Sequence, residues 1–355
     1  MNKENIFIFD IVTAFGNNGD LLINKALINT LKKYGKVKVV SSHLPASFLK
    51  ELHLNDEEQI HSFLGCVLDN IFKNRVFKVG IPGHSLESQP EYISGFLQCI
   101  KTAFLRYVLR VRFLRVGTSF GPIPSFKLSV ERFKSKMYEL YGLRDNESVK
   151  MCNSSSMKYF PDLAFLSTDI VETNLNPADN DICFLSFRSK FPDAETSSDY
   201  LQKITSKITS FLENSSFRKV VIGYQVVEDK ETSLEIFNSL SGLQGIEVVN
   251  VEDMLDLKEI NEIISKSSLV ISNRLHVLLP ALISGIPHVA LTDIRLHKKI
   301  KSLYETIGAG FVLQDVTDEA NIEISSYNCK KGLLELSKQQ KNIANEILDK
   351  TLSKL

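Results

Sequence analysis

Residues 268–292, SLVISNRLHVLLPALISGIPHVALT, decide the fold. The short apolar run 268–272 reads as a strand, the aliphatic run 277–283 closed by Gly285 reads as a helix, and 288–292 reads as a second strand. Strands this apolar are buried on both faces. A strand, a helix and a further strand in succession therefore imply a parallel sheet covered by helices. Arg274 and His276 fall at the turn from strand to helix. The first N–H groups of a helix lack partners there and the macrodipole favours an anion. Arginine adds a planar fork for a carboxylate or phosphate, and histidine a proton carrier near neutral pH. On these residues alone the turn could equally hold a solvated cation and a hydrogen-bonded helix-start histidine.

The same alternation extends in both directions. Towards the N-terminus, 6–9 is a strand, 20–34 an amphipathic helix stopped by Gly35, 37–41 a strand, 77–81 and 114–119 buried strands, and 92–109 a helix. In the second half, strands are expected over 182–187, 219–224 and 246–249, and helices over 200–213, 231–240 and 260–266. The polar stretch 167–181, STDIVETNLNPADND, suits a linker. The expected organisation is an N-terminal α/β domain over 1–166, the linker, a C-terminal α/β domain over 182–329 and a charged amphipathic helix over 330–355. Two α/β domains facing across a cleft would place ligands beyond the carboxyl ends of their strands.

Composition bounds the function. A chain of 355 residues, 43% hydrophobic and 24% charged, is globular rather than disordered. Its formal charge of zero argues against general nucleic-acid binding. The charge is unevenly spread, however: residues 1–165 carry 22 Lys and Arg against 15 Asp and Glu, leaving 20 against 27 in the remainder. An anionic partner, a membrane surface or complementarity between domains would account for that. The five cysteines, at 66, 99, 152, 183 and 329, form no C-x-x-C pair and read as thiols of a reducing compartment. The N-terminus lacks the core of a signal peptide, and the apolar stretch 275–291 is broken by His276, Pro280, Ser284, Gly285, Pro287 and His288. Cytoplasmic residence is expected, with peripheral contact at the inner face of the membrane left open.

Several constellations sit at strand exits. GNNGD, residues 16–20, has two glycines that permit close backbone approach, Asn17 and Asn18 as directional hydrogen-bonding groups, and Asp20 as a helix cap or proton acceptor. VGTSFGP, residues 116–122, could turn Ser119 towards a ligand. Arg144 could meet an acidic ligand or pair with Asp145, and Asp162 caps a loop or lines a site. Arg188 ends the strand of LSFRS; on the same sheet edge as Arg274, the two guanidiniums could converge on one dianion. A second Arg-Leu-His, at 295–297, followed by Lys298 and Lys299, adds positive charge at the next strand exit. Asp179-Asn180-Asp181 enters a strand and is not read as a metal site. No zinc, calcium, P-loop or G-x-S-x-G spacing occurs. The segment 96–115 mixes aromatics with five basic residues and reads as a helix packed on the sheet with arginines reaching outward, the alternative being contact with anionic lipid or a lipid-linked substrate.

Taken in order, GNNGD, VGTSFGP, LRDNES, YFPDLAF, LSFRS and SNRLHVLLPALISGIPHVAL resemble the polysaccharide pyruvyl transferase family over about residues 6–310. The resemblance implies a GT-B-like architecture, phosphoenolpyruvate as co-substrate with no separate cofactor, and a sugar of a surface polysaccharide or its lipid-linked oligosaccharide precursor as acceptor. It implies donor binding by Arg274, Leu275 and His276, joined by Arg188. Catalytic roles are expected for His276, Arg274 and Asp20. Acceptor contacts are expected from Asn17, Asn18, Asp20, Ser119 and His84 in the N-terminal domain. Where the family commonly has a run of glycines, this chain has VGIPGHSLE, with Gly80, Pro82, Gly83 and His84. Two other functions fit the fold: a GT-B glycosyltransferase using a nucleotide sugar, and a non-catalytic glycan-precursor-binding protein.

Overall fold

The computed structural model describes residues 3–85, 92–173, 181–191, 197 and 199–353. Of the expected linker over 167–181, residues 174–180 lie outside these, as do Asp179 and Asn180. The chain divides into two compact units. The first comprises Met1–Phe15, Asp20–Ser167 and Lys341–Leu355; the second comprises Gly16–Gly19 and Thr168–Gln340.

The first unit is built on strands β1 (Asn5–Phe9), β2 (Lys36–Val40), β3 (Gln59–Ile60), β4 (Arg75–Val79), β5 (Gly83–Ser85), β6 (Arg112–Phe120), β7 (Leu140–Leu143) and β8 (Met157–Tyr159). Its helices are α1 (Asn18–Leu31, whose first two residues belong to the second unit), α2 (Ala46–Glu51), α3 (Phe63–Asn70), α4 (Tyr92–Ala103), α5 (Ser125–Ser135) and α6 (Asn146–Cys152). The strands run parallel in the order β3-β2-β1-β4-β6-β7-β8, with β5 on the same edge of β6 as β4. β6 is longer than the expected 114–119, and its register to β7 shifts between Arg115 and Thr118, where Gly117 has φ +71°. Alternate residues of β1, Ile6 and Ile8, pack with Val76, Phe113, Val67 of α3 and Leu105. The expected helix over 92–109 is α-helical only to Ala103 and then widens to a π-turn over Phe104–Val108.

The second unit carries β9 (Ile182–Ser186), β10 (Lys219–Ile222), β11 (Glu247–Asn250), β12 (Leu269–Ser272), β13 (His288–Thr292) and β14 (Leu313–Asp315). Its helices are α7 (Tyr200–Glu213), α8 (Lys230–Leu240), α9 (Leu257–Lys266), α10 (Leu275–Ser284) and α11 (Lys298–Thr306). All pairs are parallel in the order β11-β10-β9-β12-β13-β14. Residues alternate between two cores: Cys183 and Leu185 pack towards α7 and α8, and Phe184 towards α9 and α10. That is why β9 and β12 read as unbroken apolar runs. The final helix, α12 (Lys330–Leu352), passes from the second unit to the first at Lys341. Both sheets are of the Rossmann type, giving a GT-B-like α/β chain with a C-terminal helix. Among the described residues, no helix is long and apolar enough to cross a membrane.

Candidate active site

In the second unit the strand order reverses between β9 and β12: β9 leads to β10 on one side, while β12 leads to β13 on the other. Connections diverge there, so a crevice opens beyond the carboxyl ends of the two strands. Arg188 and Arg274 each lie two residues past the end of one of them. Asn273 ties the two exits together. Its Oδ1 accepts the Arg188 N–H at 2.8 Å and its Nδ2 donates to the Arg188 carbonyl at 2.8 Å, adding one more rung after the Ser186–Ser272 pair. The same Nδ2 reaches Tyr200 Oη at 3.1 Å. Ser272 Oγ donates to the Ser186 carbonyl and accepts the Arg274 N–H at 2.9 Å. Every one of these bonds is buried or half-buried, which fixes where both arginines leave the backbone.

Arg274 is buried and forms an ion pair with Asp229, a buried residue at the end of the 3₁₀ turn Val227–Asp229 that leads into α8. Burial pushes the Asp229 carboxyl above the usual carboxylate range, while Arg274 and Arg188 both pull it back. Asp229 thus lies within electrostatic reach of both guanidiniums. Asp229 itself was not among the expected site residues. Arg274 Nε is buried with no hydrogen-bond partner among the described residues, a donor that a ligand oxygen could satisfy. Arg188 stacks on Phe191, 5.0 Å from guanidinium carbon to ring centroid, and the same ring stacks on His297 at 3.3 Å and meets Tyr200 edge-on at 5.9 Å. The second Arg-Leu-His therefore reaches the site through His297; Arg295 turns away to donate to Thr317 Oγ1 at 3.0 Å.

His276 lies in a distorted first turn of α10, with φ −87° and ψ 21°. Pro280 explains the distortion: it has no N–H to give to the His276 carbonyl four residues back. Against the ring of His276 lies the GNNG loop. A Cβ built on Gly19 would stand 2.2 Å from His276 Nδ1, so only glycine lets the loop approach this closely. Asn17 Oδ1 accepts the Gly19 N–H at 3.0 Å, and Asn18 Nδ2 donates to the Leu255 carbonyl. Asn17 and Asn18 are expected on the acceptor side, with the N-terminal domain; they belong instead to the second unit, where their side chains hold the loop in place. Leu275 is buried.

The remaining expected residues gather in the first unit. His84 on β5 pairs in register with Ser119 on β6, and their side chains meet at 2.9 Å. Ser119 Oγ also accepts from Arg144 Nε at 3.0 Å and Nη2 at 2.9 Å. Arg144 pairs through Nη1 with Asp162 Oδ2 at 2.7 Å, both side chains being fully buried, whereas Asp145 caps α6 by accepting the Ser148 N–H. Asp20 accepts the Thr13 hydroxyl at 2.6 Å and lies near Gly83. Among the described residues, no group of three or more His, Cys, Asp or Glu is arranged to hold a metal ion.

The sequence model of polysaccharide pyruvyl transferases matches residues 17–293. Solved structures share the fold at low identity. A UDP-N-acetylglucosamine 2-epimerase from Listeria monocytogenes is 12% identical, with 99% of this chain and 91% of that chain covered and a TM-score of 0.54. The Neisseria meningitidis UDP-GlcNAc 2-epimerase bound to UDP-GlcNAc is also 12% identical, with 99% and 100% covered and a TM-score of 0.54. No curated protein matches the chain by sequence. With a match spanning most of its length, the chain belongs to the polysaccharide pyruvyl transferase family.

Proposed function

We propose that the protein transfers the pyruvyl group of phosphoenolpyruvate to two hydroxyls of one sugar, in a surface polysaccharide or its lipid-linked precursor, forming a cyclic ketal. The observation that carries this reading is the pair of arginines fixed at the β9/β12 switch point beside His276. Phosphoenolpyruvate carries a carboxylate and a phosphate on one carbon, and two guanidiniums sharing one carboxylate neighbour match that separation of charge.

The chemistry begins with a proton delivered to the methylene carbon of the enol, which makes the central carbon electrophilic. His276 is the group assigned to that proton, or to the departing phosphate, and the Gly19 contact sets the direction of its ring. One sugar hydroxyl adds to the central carbon and loses its proton. The carbon–oxygen bond to phosphate then breaks, and the second hydroxyl closes the ketal with loss of its own proton. Arg274 and Arg188 neutralise the carboxylate throughout and the phosphate as it leaves. On the acceptor side, Asp20 is the proposed base and His84 a proposed sugar contact.

The test follows inorganic phosphate release from phosphoenolpyruvate on addition of a bacterial glycan extract, with the pyruvyl methyl traced into the glycan fraction. Phosphate and glycan-bound methyl in equal amounts support the proposal. Consumption of a UDP-sugar with phosphoenolpyruvate untouched would replace it with glycosyl transfer.

A further inference from the structure

The segment expected to turn its arginines outward exposes Arg110 and, alongside it, a row of large apolar side chains. Phe96, Ile100, Phe104 and Tyr107 are all exposed, Tyr107 by 71%, and their spacings of four, four and three make one stripe along α4 and its π-turn. The opposite side of the same segment is buried through Leu105, which shares a core with Val67 of α3. α5 packs beside α4, where Phe126 and Val130 close on Gly95. These helices form one layer, and its outer surface gains Phe72, 87% exposed just past α3, and Phe133 on α5.

The charge around this face has one dominant sign. No Asp or Glu occurs between residues 92 and 130, where six Lys and Arg stand. Arg106 and Arg112 share one carboxylate, Glu139, and Arg115 shares Glu131 with Lys134. Lys101 and Arg110 remain exposed beside the stripe, with Lys73 and Lys136 exposed at the neighbouring helix ends; Asp69 is the exposed acid on α3. Aromatic rings rimmed by lysine and arginine fit the headgroup zone of an anionic bilayer, which solvates the rings and attracts the cations. A second copy of the same face would bring Lys101 and Arg110 against like charges across a two-fold axis.

We propose that the α3–α4–α5 face of the first unit binds the surface of an anionic membrane. The inference stands apart from the pyruvyl-transfer reading, because it is measured without turnover. The test is co-sedimentation of the full chain with vesicles of phosphatidylcholine alone and of phosphatidylcholine mixed with phosphatidylglycerol. Expected is binding to the anionic vesicles about tenfold or more above the neutral ones, weakened by salt. F104S combined with Y107S should abolish it, and K101E combined with K136E should reduce it about tenfold, with unfolding midpoints unchanged because all four side chains are exposed or lie at the surface. Absence of binding by the native chain, or equal binding by both double variants, overturns the proposal. So does a dimer in sedimentation equilibrium that F104S with Y107S dissociates, which would make the face an interface between copies.

Discussion

Gly19→Ala adds one methyl group and should disable the site while barely loosening the fold. The new Cβ would stand 2.2 Å from His276 Nδ1 and 2.8 Å from its Cγ. Carbon–nitrogen contacts are comfortable at about 3.5 Å, so ring or loop must yield by about 1 Å. Overpacking of this kind costs about 1–3 kcal/mol. Alanine recovers up to about 1 kcal/mol, because Gly19 is within α1 and glycine is the poorer helix former. The net loss, about 1–2 kcal/mol, should lower the unfolding midpoint by only a few degrees. Displacing a catalytic group by about 1 Å can cost about a hundredfold in rate. Expected, then, is a small fall in midpoint by differential scanning calorimetry beside a loss of roughly two orders of magnitude in phosphate release. Gly16→Ala is the control: nothing lies within 4 Å of its added Cβ, and it should be silent in both assays. The reasoning is refuted if Gly19→Ala retains the rate of Gly16→Ala.

Asn273→Ala removes the rung to the Arg188 backbone and should cost about 2–3 kcal/mol in urea unfolding, with a larger loss of anion affinity than of stability as Arg188 drifts; equal affinity would show that Arg188 needs no clamp. Arg144→Lys keeps the charge but cannot reach Ser119 and Asp162 together, so about 2–4 kcal/mol should be lost in the same assay, and a loss under about 0.5 kcal/mol would contradict the buried geometry. His288 donates from Nδ1 to the Ile286 carbonyl and accepts the Tyr304 hydroxyl at Nε2, a neutral buried ring whose pKa is pushed down to about 4. With the folded pKa depressed, its contribution is full above the unfolded value of about 6.5 and is lost as pH falls through about 4, roughly 3 kcal/mol in all. Stability measured from pH 7 to pH 4 should show this fall, and His288→Phe should flatten it; an unchanged slope in that variant assigns the acid sensitivity elsewhere.

Much of the second unit was legible because its signals are local and strong. The helix expected over 200–213 and the strand over 288–292 are observed with those bounds, and the placing of Arg188 and Arg274 just past the ends of two paired strands followed from the strand exits of one parallel sheet. Asp229 was not legible. It sits in a charged run, VEDKE, that reads as the solvated start of a helix, and only the 3₁₀ turn brings it under Arg274. The glycines of GNNGD announced a close approach without naming His276, which lies more than two hundred residues away. The His84–Ser119 contact depends on β5, a strand of three residues, too short for any periodic pattern to register. In 96–107 the periodicity gave a helix, but an apolar stripe in a sequence carries no label for inside or outside, and here a second one faces out.

The central claim is that two arginines at the β9/β12 switch point hold phosphoenolpyruvate. Calorimetric titration of phosphoenolpyruvate, and separately of UDP, into the native chain, Arg188→Ala and Arg274→Ala measures this directly. Arg188 is half-buried, so its variant tests the claim without breaking the Asp229 ion pair. Phosphoenolpyruvate should bind the native chain, and each variant should weaken that binding about tenfold to a hundredfold, the worth of a charged hydrogen bond of about 1.5–3 kcal/mol. Binding of UDP with none of phosphoenolpyruvate, or phosphoenolpyruvate affinity unaltered in both variants, would contradict it.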